Sequence, residues 1–197
     1  DLRIVGSIAS LGRLLSIGEL DEIYTARFNN FDEKAYFEII YRKTASLFVS
    51  CAEVGAYAAG AEDAAKIDAL REFARLLGLC FQIRDDIFDY YDNADIGKPT
   101  GNDLREGKIT LPLLSVLDRA SDSRRRELLE RLSRCHESDE EVEYLRSTVE
   151  NEGGLSFAAE VMQGYIARAV EMLSDYPDSE YRSALVNLCA YIAERDR

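Results

Sequence analysis

Phe81-Gln82-Ile83-Arg84-Asp85-Asp86-Ile87-Phe88-Asp89 sets three carboxylates and an amide inside a stretch that is otherwise apolar. The run lies near the end of a helical pattern from about Asp63 to Tyr91, carried by Ile67, Leu70, Phe73, Leu77, Phe81 and Phe88. Between Phe73 and Phe88 the pattern is apolar almost all round, which predicts a helix inside a bundle, without one wet face. On such a helix Gln82, Asp85, Asp86 and Asp89 stand one turn apart or less and share a face. Three like charges there repel one another and are costly to desolvate, so they need cations. Hard carboxylate oxygens suit Mg2+ or Mn2+. A solvated acidic stripe or a helix-capping cluster would also gather acids, but the apolar flanks Leu79, Phe81, Ile83, Ile87 and Phe88 argue against full exposure.

Helical patterns extend in both directions from this segment. Residues 2 to 28 carry Leu2, Ile4, Val5, Ile8, Leu11 and Leu15, with Gly6, Gly12 and Gly18 lowering intrinsic propensity; at spacing six, these glycines are expected to permit close backbone packing. Asn29-Asn30 interrupts the pattern and Asp32 can cap the next helix. That helix covers residues 33 to 59 through Tyr36, Ile39, Ile40, Lys43, Leu47, Val54 and Tyr57, and Gly60 is expected to stop it. Beyond the acidic run, Asp92 to Gly107 holds five Asp/Asn residues, three glycines and Pro99, a loop long enough to suggest function. Helices resume over residues 109 to 120, with Thr110 as cap and Pro112 in the first turn, and over 121 to 136. Ser138 and Glu141 form a capping-box pattern for a helix to about Asn151, ended by Gly153-Gly154. Residues 155 to 174 and 179 to 194 complete about eight helices. No period-two run persists, so the predicted fold is all-α, one domain over residues 1–197.

Composition narrows the function. Of 197 residues, 47% are hydrophobic and 31% charged, with 3 Pro and 12 Gly, which excludes a disordered or collagen-like chain. The apolar stretch at residues 76–83 is flanked by Arg75 and Arg84, so no segment is expected to cross a bilayer. The formal net charge of −13 disfavours nucleic acid as a partner. Arg124-Arg125-Arg126 does not change this, because acids at 118, 122, 127 and 130 make it a solvated helix face. Cys51, Cys80, Cys135 and Cys189 have no metal-site spacing and read as reduced thiols of a cytoplasmic protein. His136 sits at a polar junction and carries no catalytic expectation. The chain opens directly in a helical pattern without an initiator methionine, and further sequence is expected upstream.

Magnesium held by few protein ligands keeps waters and binds substrate phosphates, so basic groups are expected to accompany the acids. Lys43, followed by Thr44, stands amid an apolar pattern. Lys98 and Lys108 mark the two ends of Gly97-Lys98-Pro99-Thr100-Gly101-Asn102-Asp103-Leu104-Arg105-Glu106-Gly107-Lys108. A Gly-, Asn- and Thr-rich segment can wrap a polyanion with its lysines as point charges. Together these features suggest a diphosphate bridged to protein by magnesium.

Lys43-Thr44, the F-Q-I-R-D-D-I-F-D run at 81 to 89, and G-K-P-T-G-N-D-L-R-E-G-K at 97 to 108 followed by Leu111-Pro112-Leu113-Leu114 resemble the head-to-tail trans-polyprenyl diphosphate synthases of the bacterial octaprenyl and geranylgeranyl type. The resemblance runs from Asp1, through Gly18-Glu19-Leu20, to Tyr191-Ile192-Ala193-Glu194-Arg195, and covers about the C-terminal three fifths of a family member. It implies an isoprenoid synthase helical bundle, incomplete at its N-terminus, that joins an allylic diphosphate to isopentenyl diphosphate with Mg2+ and works as a homodimer. Two aspartate-rich motifs face each other in that family; only the second is present here, so the isolated piece is expected to be inactive. Glu22 departs from the family pattern, which has glutamine at that position.

Carried over residue by residue, the resemblance makes Asp85 a direct magnesium ligand, with Asp86 and Asp89 reaching the metal directly or through water. It gives Lys43 and Lys98 the allylic diphosphate, and Lys108 a closing role over it. Thr44 and Gln82 would orient the reacting end, and Asp103 would anchor the basic loop. Two alternatives stand beside this reading: a non-catalytic partner subunit of a heteromeric synthase, and a terpene cyclase, which also ionises an allylic diphosphate at magnesium.

Overall fold

The computed structural model describes residues 1–28, 31–91 and 101–194. Among them every regular element is helical, so the all-α expectation holds. The helices are α1 Leu2–Phe28, α2 Glu33–Ile40, α3 Ser46–Ala58, α4 Ala64–Phe88, α5 Asn102–Arg105, α6 Leu111–Arg119, α7 Asp122–Leu132, α8 Asp139–Asn151, α9 Gly154–Met172 and α10 Glu180–Glu194. None is long and apolar enough to cross a membrane among the described residues. The readings made of Asn29-Asn30 and of residues 92–100, Lys98 included, lie outside the described residues.

The chain gathers into two compact units. The first comprises Asp1–Asp21, Phe37–Arg84 and Met162–Arg197. Its core is supplied by α4, where Phe73, Leu76, Leu77, Leu79, Cys80 and Ile83 are buried, and by Ile39, Ile40, Met162, Ala169, Leu173 and Ile192. The all-round apolar character read between Phe73 and Phe88 follows from this position.

One feature of this unit departs from the sequence pattern. The helix expected over residues 33 to 59 is broken into α2 and α3 by a π-helical turn, Tyr41–Ala45. The turn is wedged between two glycines. A Cβ on Gly18 of α1 would lie 2.8 Å from the Lys43 backbone nitrogen, and one on Gly78 of α4 would lie 2.5 Å from Ala45 Cα. Two backbones therefore press on the turn, and only glycine lets them. Gly6 and Gly12, by contrast, have nothing within 4 Å of the Cβ position, so the close packing expected of all three α1 glycines belongs to Gly18 alone.

The second unit comprises Glu22–Tyr36 and Asp85–Val161. Here α7 packs on α6 and α8, and α5 packs on α8, around Leu113, Leu114, Leu117, Leu128, Leu132, Leu145 and Val149. Helix α5 falls within the segment read as loop. Thr110 occupies the N-cap position of α6, but its side chain makes no capping bond. Ser138 does cap α8, accepting from the Glu141 amide at 3.3 Å, while the Glu141 carboxylate turns to Arg131 and Arg134 instead of completing the capping box. The arginine run on α7 is a surface ion-pair lattice, with Arg124 on Glu127 and Glu152 and Arg125 on Asp118. Cys80, Cys135 and Cys189 are buried and Cys51 is exposed, all as free thiols. Burial, helped by the nearby Cys189, pushes the Cys80 thiol up to about 12, so it stays protonated at neutral pH.

Candidate active site

The residues singled out from sequence fall into two clusters, one in each unit. In the first unit, the π turn widens the helix backbone and carries Lys43 and Thr44 on successive positions. The Thr44 hydroxyl donates to Gln82 Oε1 at 2.6 Å, which fixes the orientation of the Gln82 amide. The Lys43 ammonium reaches Glu19 Oε2 at 3.2 Å. The π turn thus sets a cation and a hydroxyl beside an oriented amide from α4, with a carboxylate of α1 against the cation.

The second cluster is built around the C-terminal end of α4. Asp86 is buried and accepts a 2.6 Å hydrogen bond from the Tyr36 hydroxyl, itself buried. Asp89 lies just past the helix and uses both carboxylate oxygens: Oδ1 accepts from the Asn102 amide and Oδ2 from the Asp103 amide, each at 3.0 Å. Its backbone carbonyl accepts from the Gly101 amide at 2.9 Å. Gly101 has φ 74°, and a Cβ there would meet Val142 Cγ1 at 2.5 Å, so the turn that delivers α5 to Asp89 requires glycine. Arg146 of α8 ties down the same helix end through two bonds to the Tyr90 carbonyl, at 3.0 and 2.7 Å.

Asp103 and Lys108 follow from this anchoring. The Lys108 amide donates to the Asp103 carbonyl at 2.8 Å, closing a short loop that sets both side chains side by side. The Lys108 ammonium lies 2.7 Å from Glu106, 3.4 Å from Glu22 and 3.6 Å from Asp103. Burial works against its charge, but the hydrogen bond to Glu106 and the charges of Glu22 and Asp103 outweigh it and raise its pKa above the ordinary lysine range. Asp103 is displaced the other way from an ordinary carboxylate: burial, then the neighbouring Asp89, push it up to about 6, while Lys108 pulls it down. Tyr90 is raised as well, chiefly by burial. Its hydroxyl and Thr110 Oγ1 are both buried without a full hydrogen-bond partner among the described residues.

The acids fit a hard cation of a particular kind. Among the described residues no three acidic, histidine or cysteine groups converge as a ready-made metal cage. Asp86 is engaged by Tyr36 and Asp89 by two backbone amides, and Asp85 is half-buried one residue before Asp86. Carboxylate oxygens supplying only one or two ligands match the habit of magnesium, which completes its shell with water and phosphate oxygens.

Sequence reasoning missed Tyr36 and Arg146 as supports of this cluster. Tyr36 counted as one apolar member of a helical period, and its burial agrees; nothing in the period shows that its hydroxyl meets an aspartate. Arg146 carried no signal at all.

Comparison with known proteins shows that this all-α chain has the isoprenoid synthase fold. The polyprenyl synthetase family model matches residues 2–149, and the chain belongs to that family. It is 30% identical over 196 residues to the octaprenyl diphosphate synthase of Haemophilus influenzae, covering 99% of this chain and 59% of that protein. Among solved structures it resembles a geranylgeranyl pyrophosphate synthase of Bacteroides thetaiotaomicron at a TM-score of 0.90 and 33% identity, over 99% of this chain and 64% of that one. A polyprenyl synthase of Caulobacter crescentus, solved with calcium and isoprenyl diphosphate, matches at a TM-score of 0.89 and 33% identity, over 100% of this chain and 60% of that one. The chain therefore spans about three fifths of the length of these relatives.

Proposed function

We propose that the protein containing this chain is a magnesium-dependent, cytoplasmic, homodimeric prenyltransferase that condenses an allylic diphosphate with isopentenyl diphosphate to give a longer trans-polyprenyl diphosphate. The observation that carries this reading is the double capture of the α5 amides by Asp89, which sets Asp103 and Lys108 beside the acidic end of α4. Acids for a metal and a cation for a phosphate are thereby held in one rigid local frame, as ionisation of a diphosphate ester requires.

Asp85 would hold magnesium directly, and Asp86 and Asp89 directly or through water; when bound, the ion would supply charge neutralisation of the diphosphate. Lys43, Lys98 and Lys108 bind the phosphate oxygens, and their contribution grows as the C–O bond breaks and the leaving group gains charge. Gln82, oriented by Thr44, is assigned to the allylic end, where its carbonyl dipole would favour developing positive charge. Tyr36 keeps Asp86 in place, and Asp103 sets the position of Lys108. Attack by the isopentenyl double bond and loss of a proton complete the addition, with no protein nucleophile.

Incubation of the longer protein that contains this chain with magnesium, labelled isopentenyl diphosphate and geranyl or farnesyl diphosphate, followed by separation of products by chain length, tests this. A ladder of acyclic diphosphates is expected. A cyclic hydrocarbon would convert the reading to a terpene cyclase. A folded protein of the relatives' full length that yields no product would favour a non-catalytic partner subunit.

A further inference from the structure

An ammonium group has three N–H donors, and Lys108 meets three carboxylates among the described residues. Two of them travel with it. Asp103 is locked to Lys108 by the backbone bond between them, and Glu106 is two positions away in the same turn. Glu22 is different, because it comes from α1 and its contact at 3.4 Å joins the lysine-bearing turn to a distant part of the chain. The pair is also sheltered: the side chains of Lys108 and Glu22 are only 24% and 22% exposed, against 60% for Glu106. Of the three carboxylates, only Glu106 is at hydrogen-bond distance from the ammonium, while Glu22 and Asp103 stand as close ion-pair partners, so a phosphate oxygen that approaches Lys108 meets Glu22 as a partly desolvated negative charge a few ångströms from its destination.

We propose that Glu22 is an affinity-determining residue that competes with diphosphate for the Lys108 ammonium. The inference rests on the diphosphate-binding role assigned to Lys108 in the proposed function and adds a residue that opposes that role. A phosphate oxygen then reaches Lys108 in competition with Glu22, whose carboxylate also repels the ligand. Glu22→Gln keeps the length and shape of the side chain and removes only the charge. A purely supporting residue would show weaker binding on this change; a competing one shows tighter binding, so the sign decides.

The test is calorimetric titration of inorganic diphosphate in magnesium buffer into the wild-type protein and the Glu22→Gln, Lys108→Met, Glu22→Gln/Lys108→Met and Glu130→Gln variants. Glu130 lies on the exposed face of α7 and controls for loss of one negative charge. Glu22→Gln is expected to bind diphosphate tighter by roughly tenfold, Glu130→Gln to match wild type, and Lys108→Met to bind weaker. In the double variant the gain from Glu22→Gln is expected to vanish. Equal binding by Glu22→Gln and Glu130→Gln, weaker binding by Glu22→Gln, or a gain that survives without Lys108 would overturn the proposal while leaving diphosphate binding standing. Absence of diphosphate binding by wild type and every variant would instead remove the functional reading, and this inference with it. Lysine-selective 15N NMR of the unligated protein gives a further readout: Lys108 ammonium protons should exchange faster in Glu22→Gln, and an unchanged rate would also count against the competition.

Discussion

Asp103 is held in a setting that favours its protonated form. Burial and the Asp89 carboxylate raise its pKa to about 6, with Lys108 opposing them. In the unfolded chain an aspartate titrates near 3.9, so between about pH 4 and pH 6 the folded state binds more protons than the unfolded one and stability falls as pH rises. The full effect is at most about 3 kcal/mol. A carboxyl-carbon NMR titration of the metal-free protein should find a midpoint near about 6, and Lys108→Met should move it upward because the opposing cation is gone. A midpoint in the ordinary aspartate range would contradict this environment. At Asp85 the expected effect is on chemistry: Asp85→Ala should lower turnover by roughly 10²–10³-fold, whereas Arg125→Ala, which removes an exposed pair with Asp118, should change activity little and stability by less than about 0.5 kcal/mol. Steady-state rates and melts of the two variants check both statements. The spacing of Asp85, Asp86 and Asp89 was enough to mark a candidate site, because helical periodicity places them on one face. The hydroxyl behind Asp86 and the guanidinium behind Tyr90 were not legible, since which distant side chain satisfies a buried polar group depends on tertiary contacts that periodicity does not encode.

At the scale of the element, the π turn is the feature with the largest consequence. It sits between Gly18 and Gly78, and the Gly78 contact is backbone against backbone, at 2.5 Å from a would-be Cβ to Ala45 Cα. Neither side can yield by rotating a side chain. Gly78→Ala is therefore expected to destabilise the protein by about 1–3 kcal/mol through overpacking. Gly12→Ala, in an open stretch of α1, should stabilise it by about 0.5–1 kcal/mol through lower unfolded-state entropy. Denaturant melts of both variants decide this, and similar midpoints would dissolve the distinction. The helix boundaries themselves were largely legible: apolar spacing, Asp32, Gly60, Pro112 and Ser138 each marked an end that the structure keeps. The π turn was not, because the extra residue rotates the pattern by about 100° beyond it, and the residues buried there, Ser46, Ser50 and Ala56, are too small or polar to mark the new face. Helix α5 was hidden for another reason. It has four residues, its N-cap is a left-handed glycine, and it is held by Asp89 from outside its own sequence.

Over the whole molecule, charge and apolar exposure pull in opposite directions. The chain carries a formal net charge of −13, so two copies repel each other at long range. Yet α1 keeps Leu2, Val5, Ile8, Leu20, Ile23 and Tyr24 exposed, an unusual run of large apolar side chains for one helix in water. Burial of such side chains is worth about 25 cal/mol for each Å² removed from water and does not weaken with salt, whereas repulsion between acidic surfaces does. A homodimer that buries this face of α1 should therefore tighten as ionic strength rises. Sedimentation across a concentration series at low and at moderate salt is expected to show a monomer–dimer equilibrium whose dissociation constant falls with added salt, and Val5→Asp should shift it toward monomer. Association that weakens with salt would point to ion pairs as the main contact, and an unchanged equilibrium in Val5→Asp would move the interface away from α1. A monomer at every concentration would mean that another segment of the same polypeptide covers this face, in which case Val5→Asp should lower the melting midpoint without changing the oligomeric state.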